Sequence, residues 1–311
     1  MKLLSKTITS ASLKKRLIGL QFKDGLLFKV IIYALLIGIG FVYVYPLLYM
    51  ISISLQDLAD LLSPSVLYIP SKLYLDNIIT SFEVLKYLET LLSSLTVTLF
   101  PAILQTFVAS LIGYGFAKFE FPLKRIIFAL VILTYIIPPQ LIMIPRFVLF
   151  NDLNLVGTIW SILLPASLGQ GLYSAVFILI FYQFYKMIPK ALEEAAQIDG
   201  ASPFYVYIKI AVPLSVPSFI TSFLFSFVWY WNETYTSSLM LNNLVETLQL
   251  RLLTFVSSYQ DLFPGEAALI NEGIRMSATL LIILPMLIVY IFIQKLFIQG
   301  IDQSGLAGGE Q

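Results

Sequence analysis

The sequence contains no histidine and no cysteine. The first absence removes the commonest metal ligand and the usual proton switch near neutral pH. The second excludes a disulfide framework and leaves the redox compartment unreadable. Together they exclude Ser/His/Asp and Cys/His nucleophilic centres. Charge is also scarce. Asp, Glu, Lys and Arg make up 12% of residues, against about 25% in an ordinary soluble domain. The net charge of +1 gives no argument for a nucleic-acid partner. No G-x-x-x-x-G-K-S/T phosphate loop occurs in the chain, so it is not its own ATPase by that mechanism. No close pair of acids within the apolar stretches supports an intramembrane carboxylate protease.

What remains is apolar: 59% of residues are hydrophobic and the mean hydropathy is +0.88. Several windows exceed the roughly 20 apolar residues that cross a bilayer core as a helix. The reading is an all-α polytopic membrane protein of about six transmembrane helices, kinked and broken by Pro and Gly. The spans fall near 27–52, 91–117, 126–150, 156–185, 212–241 and 276–298. A basic segment, 1–26, holds Lys2, Lys6, Lys14, Lys15, Arg16 and Lys23. It has no apolar run ending in a small-residue cleavage site, so a cytoplasmic tail is expected rather than a cleaved signal. Residues 27–90 form the first span and an outer loop, 91–298 a helical core, and 299–311 a C-terminal tail. With the N-terminus inside, inner segments hold 13 Lys and Arg against 5 outside, with Lys29 at a span edge. Orientation follows this bias: both termini and the 187–212 loop are cytoplasmic, and the 242–275 loop is outer.

Pro138 and Pro139 interrupt the third span. Pro165, Gly169 and Gly171 interrupt the fourth, and Pro213 and Pro217 open the fifth. Proline removes a helix hydrogen bond, and lipid cannot satisfy the freed carbonyls. Each break is a packing kink or part of a translocation path, and broken helices near mid-membrane often line such paths. Gln140, Gln170 and Tyr173 lie beside the breaks. Glu233 is the notable acid within a span. It is a functional candidate by default or a wet residue at a span end. Trp229, Tyr230, Trp231 and Tyr235 around it form an interface belt or, with Asn232, a surface for stacking on sugar rings and bonding their hydroxyls. The two outer loops carry Asp57, Asp60, Asp76, Glu83, Glu89, Glu246, Asp261, Glu266 and Glu272, as solvated loops or as a docking face for an outer partner.

The 187–212 loop is the most informative stretch. Pro189 suits a first helical turn, and Glu193 and Glu194 sit where the helix dipole favours negative charge. Leu192, Ala195 and Ala196 form a small apolar stripe. Asp199 precedes Gly200, which fits a left-handed C-cap. Ser202 and Pro203 restart a helix as N-cap and first residue, with Phe204, Tyr207, Ile208 and Ala211 at helical spacing. A short helix, a turn and a second helix are made to be gripped by another protein or to lie on the membrane surface.

Glu194, Ala195 and Ala196, then Gly200, nine residues, and Ile210 to Pro213 resemble the EAA motif of membrane subunits of binding-protein-dependent ABC importers. Ile188 to Ser202, Pro213 to Pro217 and Trp231 to Glu233 are similar to the carbohydrate-uptake branch. The tail from Gly300 to Gly309 resembles that of the maltose-type small permease subunit. Val212 stands where the family pattern has Leu, and Glu310–Gln311 where that tail is usually basic. The resemblance implies a coupling helix docked in a cleft of a cytoplasmic ATPase, with Glu193, Glu194, Ala195, Ala196, Asp199, Gly200, Ile210 and Pro213 in the coupling loop. It implies a tail reaching the ATPase dimer interface and a 242–275 loop that corresponds in position to one probing the sugar cleft of the binding protein. The implied assembly is a second homologous permease, an ABC ATPase dimer carrying ATP and Mg, and an extracytoplasmic solute-binding protein. It would sit in the lipid of a bacterial or archaeal cytoplasmic membrane, with no cofactor on this chain. The substrate-path candidates are then Gln140, Gln170, Tyr173, Trp231, Asn232, Glu233 and Tyr235. Two other readings remain: an ion-gradient-driven secondary transporter with Glu233 as coupling acid, and a scaffold subunit with no path.

Overall fold

The computed structural model describes residues 25–306 apart from 243, 267 and 268. The basic N-terminal segment and the last five residues expected in the C-terminal tail lie outside the described residues. The described residues are helical and contain no strand, and they group into two compact units.

The first unit runs to Ile78 and includes Asn271–Leu280. Its main element is α1 (Leu26–Ser54), about 43 Å long at 1.5 Å per residue. None of its most apolar 18-residue window is buried within the chain. A helix apolar on all sides with no protein around it has lipid or another subunit as its solvent. The acids that follow are used locally. Asp57 caps α2 (Leu58–Leu62) by accepting from Asp60 N at 2.8 Å, and pairs with Lys72 at 2.8 Å. That partner holds the Asp57 carboxyl below the usual aspartate range. Asp60 is buried and accepts from both N and Oγ of Ser71 at 2.8 Å. These two acids therefore close the loop on itself.

The second unit contains Ile79–Ile270 and the chain from Leu281. α3 (Asp76–Val84) leads into α4 (Tyr87–Lys118). Ala102, Thr106, Ala109, Ser110 and Gly113 recur on one buried face of α4. Small residues at helical spacing let membrane helices approach closely. A Cβ on Gly113 would lie 2.7 Å from Phe181 Cβ and 2.9 Å from Tyr182 N. After this helix come α5 (Lys124–Ile136), α6 (Pro139–Asp152), α7 (Trp160–Ser167) and α8 (Ser174–Met187), of which α7 and α8 pack against it. α9 (Lys190–Ile198) and α10 (Pro203–Val206) form the helix-turn-helix. A π-helical turn (Tyr207–Ala211) and α11 (Val212–Leu214) lead to α12 (Val216–Asn232) and α13 (Tyr235–Leu241). The 242–275 segment contains α14 (Leu248–Leu253) and α15 (Phe255–Leu262). The last helix, α16, is Glu272–Leu306. The core collects Tyr114, Phe177, Phe181, Tyr185, Ile188, Tyr207 and Ala211 where α4, α8 and the π turn meet.

Among the described residues, three helices (Leu26–Ser54, Tyr87–Lys118 and Glu272–Lys295) are long and apolar enough to cross a membrane. The total rises to six if each of three bent pairs is one span. The expected breaks are real but differ in detail. α5 and α6 meet at 100° at Pro138. In the fourth span Pro165 stays inside α7, and the helix stops at Leu168–Tyr173 instead. The fifth span is not continuous over 212–241. It bends by 77° at Ser215 and stops again after Asn232, where no Pro or Gly signals it. The expected single stripe of Phe204, Tyr207, Ile208 and Ala211 is split. The π turn rotates Tyr207 and Ala211 into the core and leaves Phe204 and Ile208 exposed.

Candidate functional site

The residues of the 187–212 loop fold through local chemistry. Gly200 adopts φ +86° with no atom within 4 Å of where a Cβ would stand, so the left-handed backbone alone asks for glycine. Ala201 N donates to Ala196 O and Gly200 N to Gln197 O, both at 3.0 Å, which is the Schellman closure of a helix. Ser202 Oγ accepts from Tyr205 N at 3.2 Å as the cap of α10. Pro189 sits at the N-cap, one residue ahead of the first turn.

The two glutamates of the loop do different things. Glu193 is buried, and Lys118 Nζ, from the last residue of α4, lies 2.9 Å from its Oε1. The same ammonium donates to Ile188 O at 2.9 Å. Both side chains are nearly enclosed, and breaking such a pair strands a charge at about 3–5 kcal/mol. Glu194, Ala195 and Asp199 face outward with Leu192 and with Ile198, which is 86% exposed. Phe204, Tyr205 and Ile208 continue this surface across the turn. Ala196 and Ile210 are half-buried, and Pro213 is exposed. The loop is thus fastened on one face and bare and apolar on the other.

Behind the loop lies a buried hydroxyl cluster. Ser110 Oγ is 2.6 Å from Tyr185 OH and 3.0 Å from Tyr207 OH. Tyr185 OH is 3.0 Å from Ser215 Oγ, which donates to Val212 O. The Tyr114 ring packs on both tyrosines, at 5.3 and 5.0 Å. These bonds join α4, α8, the π turn and the bend at Ser215. Sequence reading missed them, although hydroxyls inside apolar runs were the available signal.

At the far end of α8, about 21 Å from the loop by helix rise, a cleft of about 350 Å³ opens. Gln140, Tyr173, Asn232, Glu233 and Tyr235 line it together. Gln170 lines an adjoining cavity of about 80 Å³. Trp231 is placed elsewhere: it is 3% exposed and stacks on Phe227 at 6.0 Å. At about 100° per residue, Trp229 takes the cleft wall instead, 4.7 Å from the Tyr173 ring. Glu233 accepts from Thr236 N (2.8 Å), Ser237 N (2.9 Å) and Ser237 Oγ (3.2 Å). Its carboxylate caps the first turn of α13, where the dipole favours an anion, and this stops α12.

The broken helix beside the cleft has its polar groups satisfied by two side chains that sequence reading did not single out for the task. Gln105 Nε2 donates to Leu172 O at 2.7 Å, and Tyr230 OH donates to Gln105 Oε1 at 2.8 Å. Leu172 N donates to Tyr230 OH at 3.2 Å. A Cβ on Gly171 would fall 2.1 Å from Gln105 Oε1, so glycine is needed for this approach. Among the described residues no group of three acids could hold a metal ion.

Residues 105–303 match the family described as "Binding-protein-dependent transport system inner membrane component". The arabinooligosaccharides transport system permease protein AraQ of Halalkalibacterium halodurans is 29% identical, over 87% of this chain and 93% of its own. The polygalacturonan/rhamnogalacturonan transport system permease protein YtcP of Bacillus subtilis is 30% identical, over 88% of this chain and 96% of its own. A crystal structure of a bacterial ABC transporter that imports the acidic polysaccharide alginate shares the fold. One of its chains superposes with a TM-score of 0.70 at 20% identity, over 86% of this chain and 96% of that one.

Proposed function

The chain belongs to the binding-protein-dependent transport system inner membrane components, and from that premise we propose that it is the translocation subunit of an ATP-driven importer for a sugar or oligosaccharide. The solute class rests on the relatives, whose names give arabinooligosaccharide and polygalacturonan/rhamnogalacturonan transport. ATP and Mg belong to a separate ATPase dimer that grips the loop from Glu193 to Pro213. A second permease completes the path, and an extracytoplasmic binding protein delivers the solute. Both termini and the loop face the cytoplasm, as the Lys and Arg bias asks, so the cleft opens toward the outer half of the bilayer.

The observation that carries this reading is the two-faced loop. Glu193 is tied inward to Lys118 at 2.9 Å, while Leu192, Glu194, Ala195 and Ile198 are left bare. A bare apolar patch rimmed by charge marks a protein contact, and a fastened helix passes a push to what it is fastened to. Glu194→Lys should abolish most ATP-dependent uptake in vesicles while the protein still inserts and assembles with its second permease. Wild-type uptake in that variant, with solute-stimulated ATP hydrolysis unchanged, would sink the mechanism.

A further inference from the structure

Arg146, on α6, is a half-buried cation that the function proposed above leaves unused. Lys72, Lys118, Lys124 and Arg251 each pair with a carboxylate. Arg146 is half-buried and makes no ion pair or hydrogen bond among the described residues. It lies between two cavities. One is walled by Thr134, Gln170, Tyr173 and the Gly169–Gly171 backbone, and the other by Tyr230, Glu233 and Thr236. Glu233 is the one carboxylate on either wall. Its oxygens are already held by Thr236 and Ser237, and it lies beyond ion-pair distance of Arg146.

A guanidinium cannot shed its charge to ease burial. Leaving it unpaired within a membrane protein is costly, which makes such a residue a functional candidate. Its planar fork matches a carboxylate with two parallel bonds. Arg146 is the one cation lining these cavities and the adjoining cleft, and Glu233, which shares the second cavity with it, is already held by the N–H groups that open α13, so the site suits one further negative charge rather than the two of a phosphate ester. Gln140, Asn232, Trp229 and Tyr173 in the adjoining cleft offer amides for hydroxyls and ring faces for a pyranose. We propose that Arg146 is the anion-binding residue of the translocation path and that the solute carries a carboxylate, as a uronic-acid sugar does. The inference rests on the importer reading.

The test uses the complete importer, with its binding protein, in proteoliposomes. Uptake is measured for a digalacturonate, the neutral disaccharide of the same linkage, and a sugar phosphate. The wild-type importer should carry the digalacturonate. Arg146→Gln should lower that uptake about tenfold or more, the loss of a charged hydrogen bond, while Arg146→Lys retains part of it. Melting of the purified complex should not change between the variants. Wild-type transport confined to the neutral sugar or the phosphate would overturn the inference alone. So would digalacturonate uptake untouched in Arg146→Gln. Equal loss for charged and neutral solutes with a lowered melting temperature would overturn it in favour of a pair with an acid of the second permease. No ATP-dependent uptake of any solute would overturn the importer reading, and the inference with it.

Discussion

Neighbouring side chains in this protein do opposite jobs, and Glu193 and Glu194 are the clearest case. Adjacent helix positions point about 100° apart, so one acid reaches Lys118 while the next faces solvent. Lys118→Met should cost about 3–5 kcal/mol because it strands the Glu193 carboxylate. Adding Glu193→Gln should recover most of that loss. Thermal melting of the detergent-purified chain reads both, and no recovery in the double variant would show that the pair contributes packing rather than charge balance. Sequence reading placed both acids in the early turns of a helix, where the structure has them, since dipole and capping preferences are local. It could not tell them apart, because the partner of Glu193 is far away in the chain. The placement of Trp231 was hidden for the same reason: its residue type suits a sugar face, but the rotation of α12 buries it on Phe227.

At the scale of elements, the breaks organise the molecule. Those made by Pro138 and by the Gly169–Gly171 segment were legible, since Pro and Gly act on their own backbone. The stop after Asn232 was not, because a carboxylate made it by capping the next helix. The break at Leu168–Tyr173 needs a partner for its backbone, which Gln105 and Tyr230 supply. Gln105→Leu should destabilise the protein by about 1–3 kcal/mol by orphaning buried groups. It should also raise amide exchange at Leu172 above that of the α8 interior; exchange unchanged at Leu172 would mean that water or the backbone replaces the amide. Tyr185→Phe keeps the ring packing and removes the bonds to Ser110 and Ser215. It should leave ATP hydrolysis by the assembled importer nearly intact and lower the solute moved per ATP. A proportional fall in both would assign Tyr185 to stability alone.

For the whole molecule, class was written in bulk properties: scarce charge and long apolar runs. Against the six spans expected, the described residues hold three whole candidate helices, or up to six if each bent pair is one span. What escaped was which interior side chains meet. Ser110, Gln105 and Arg146 look like stray polar residues in apolar runs until α4 and α6 are packed. The family match begins at residue 105 and ends at 303, so the second unit carries nearly all of the shared pattern. α1, with no buried residue in its most apolar window, is left as a surface for lipid or a companion chain.

The hydroxyl cluster on α8 has a mechanical consequence. Tyr185 sits two residues from the loop end of that helix and eleven from Ser174 at its other end. At 1.5 Å per residue the two arms are about 3 Å and about 17 Å. A fulcrum so close to one end converts a small stroke there into a large one at the other. A sideways displacement of about 1 Å at Met187 becomes about 5 Å at the mouth of the cleft, by the ratio of the arms. The same ratio works in reverse: force is divided by the factor that multiplies distance. Under the coupling proposed above, such a helix is geared for travel, and a stiff grip on the loop matters far more than a long push.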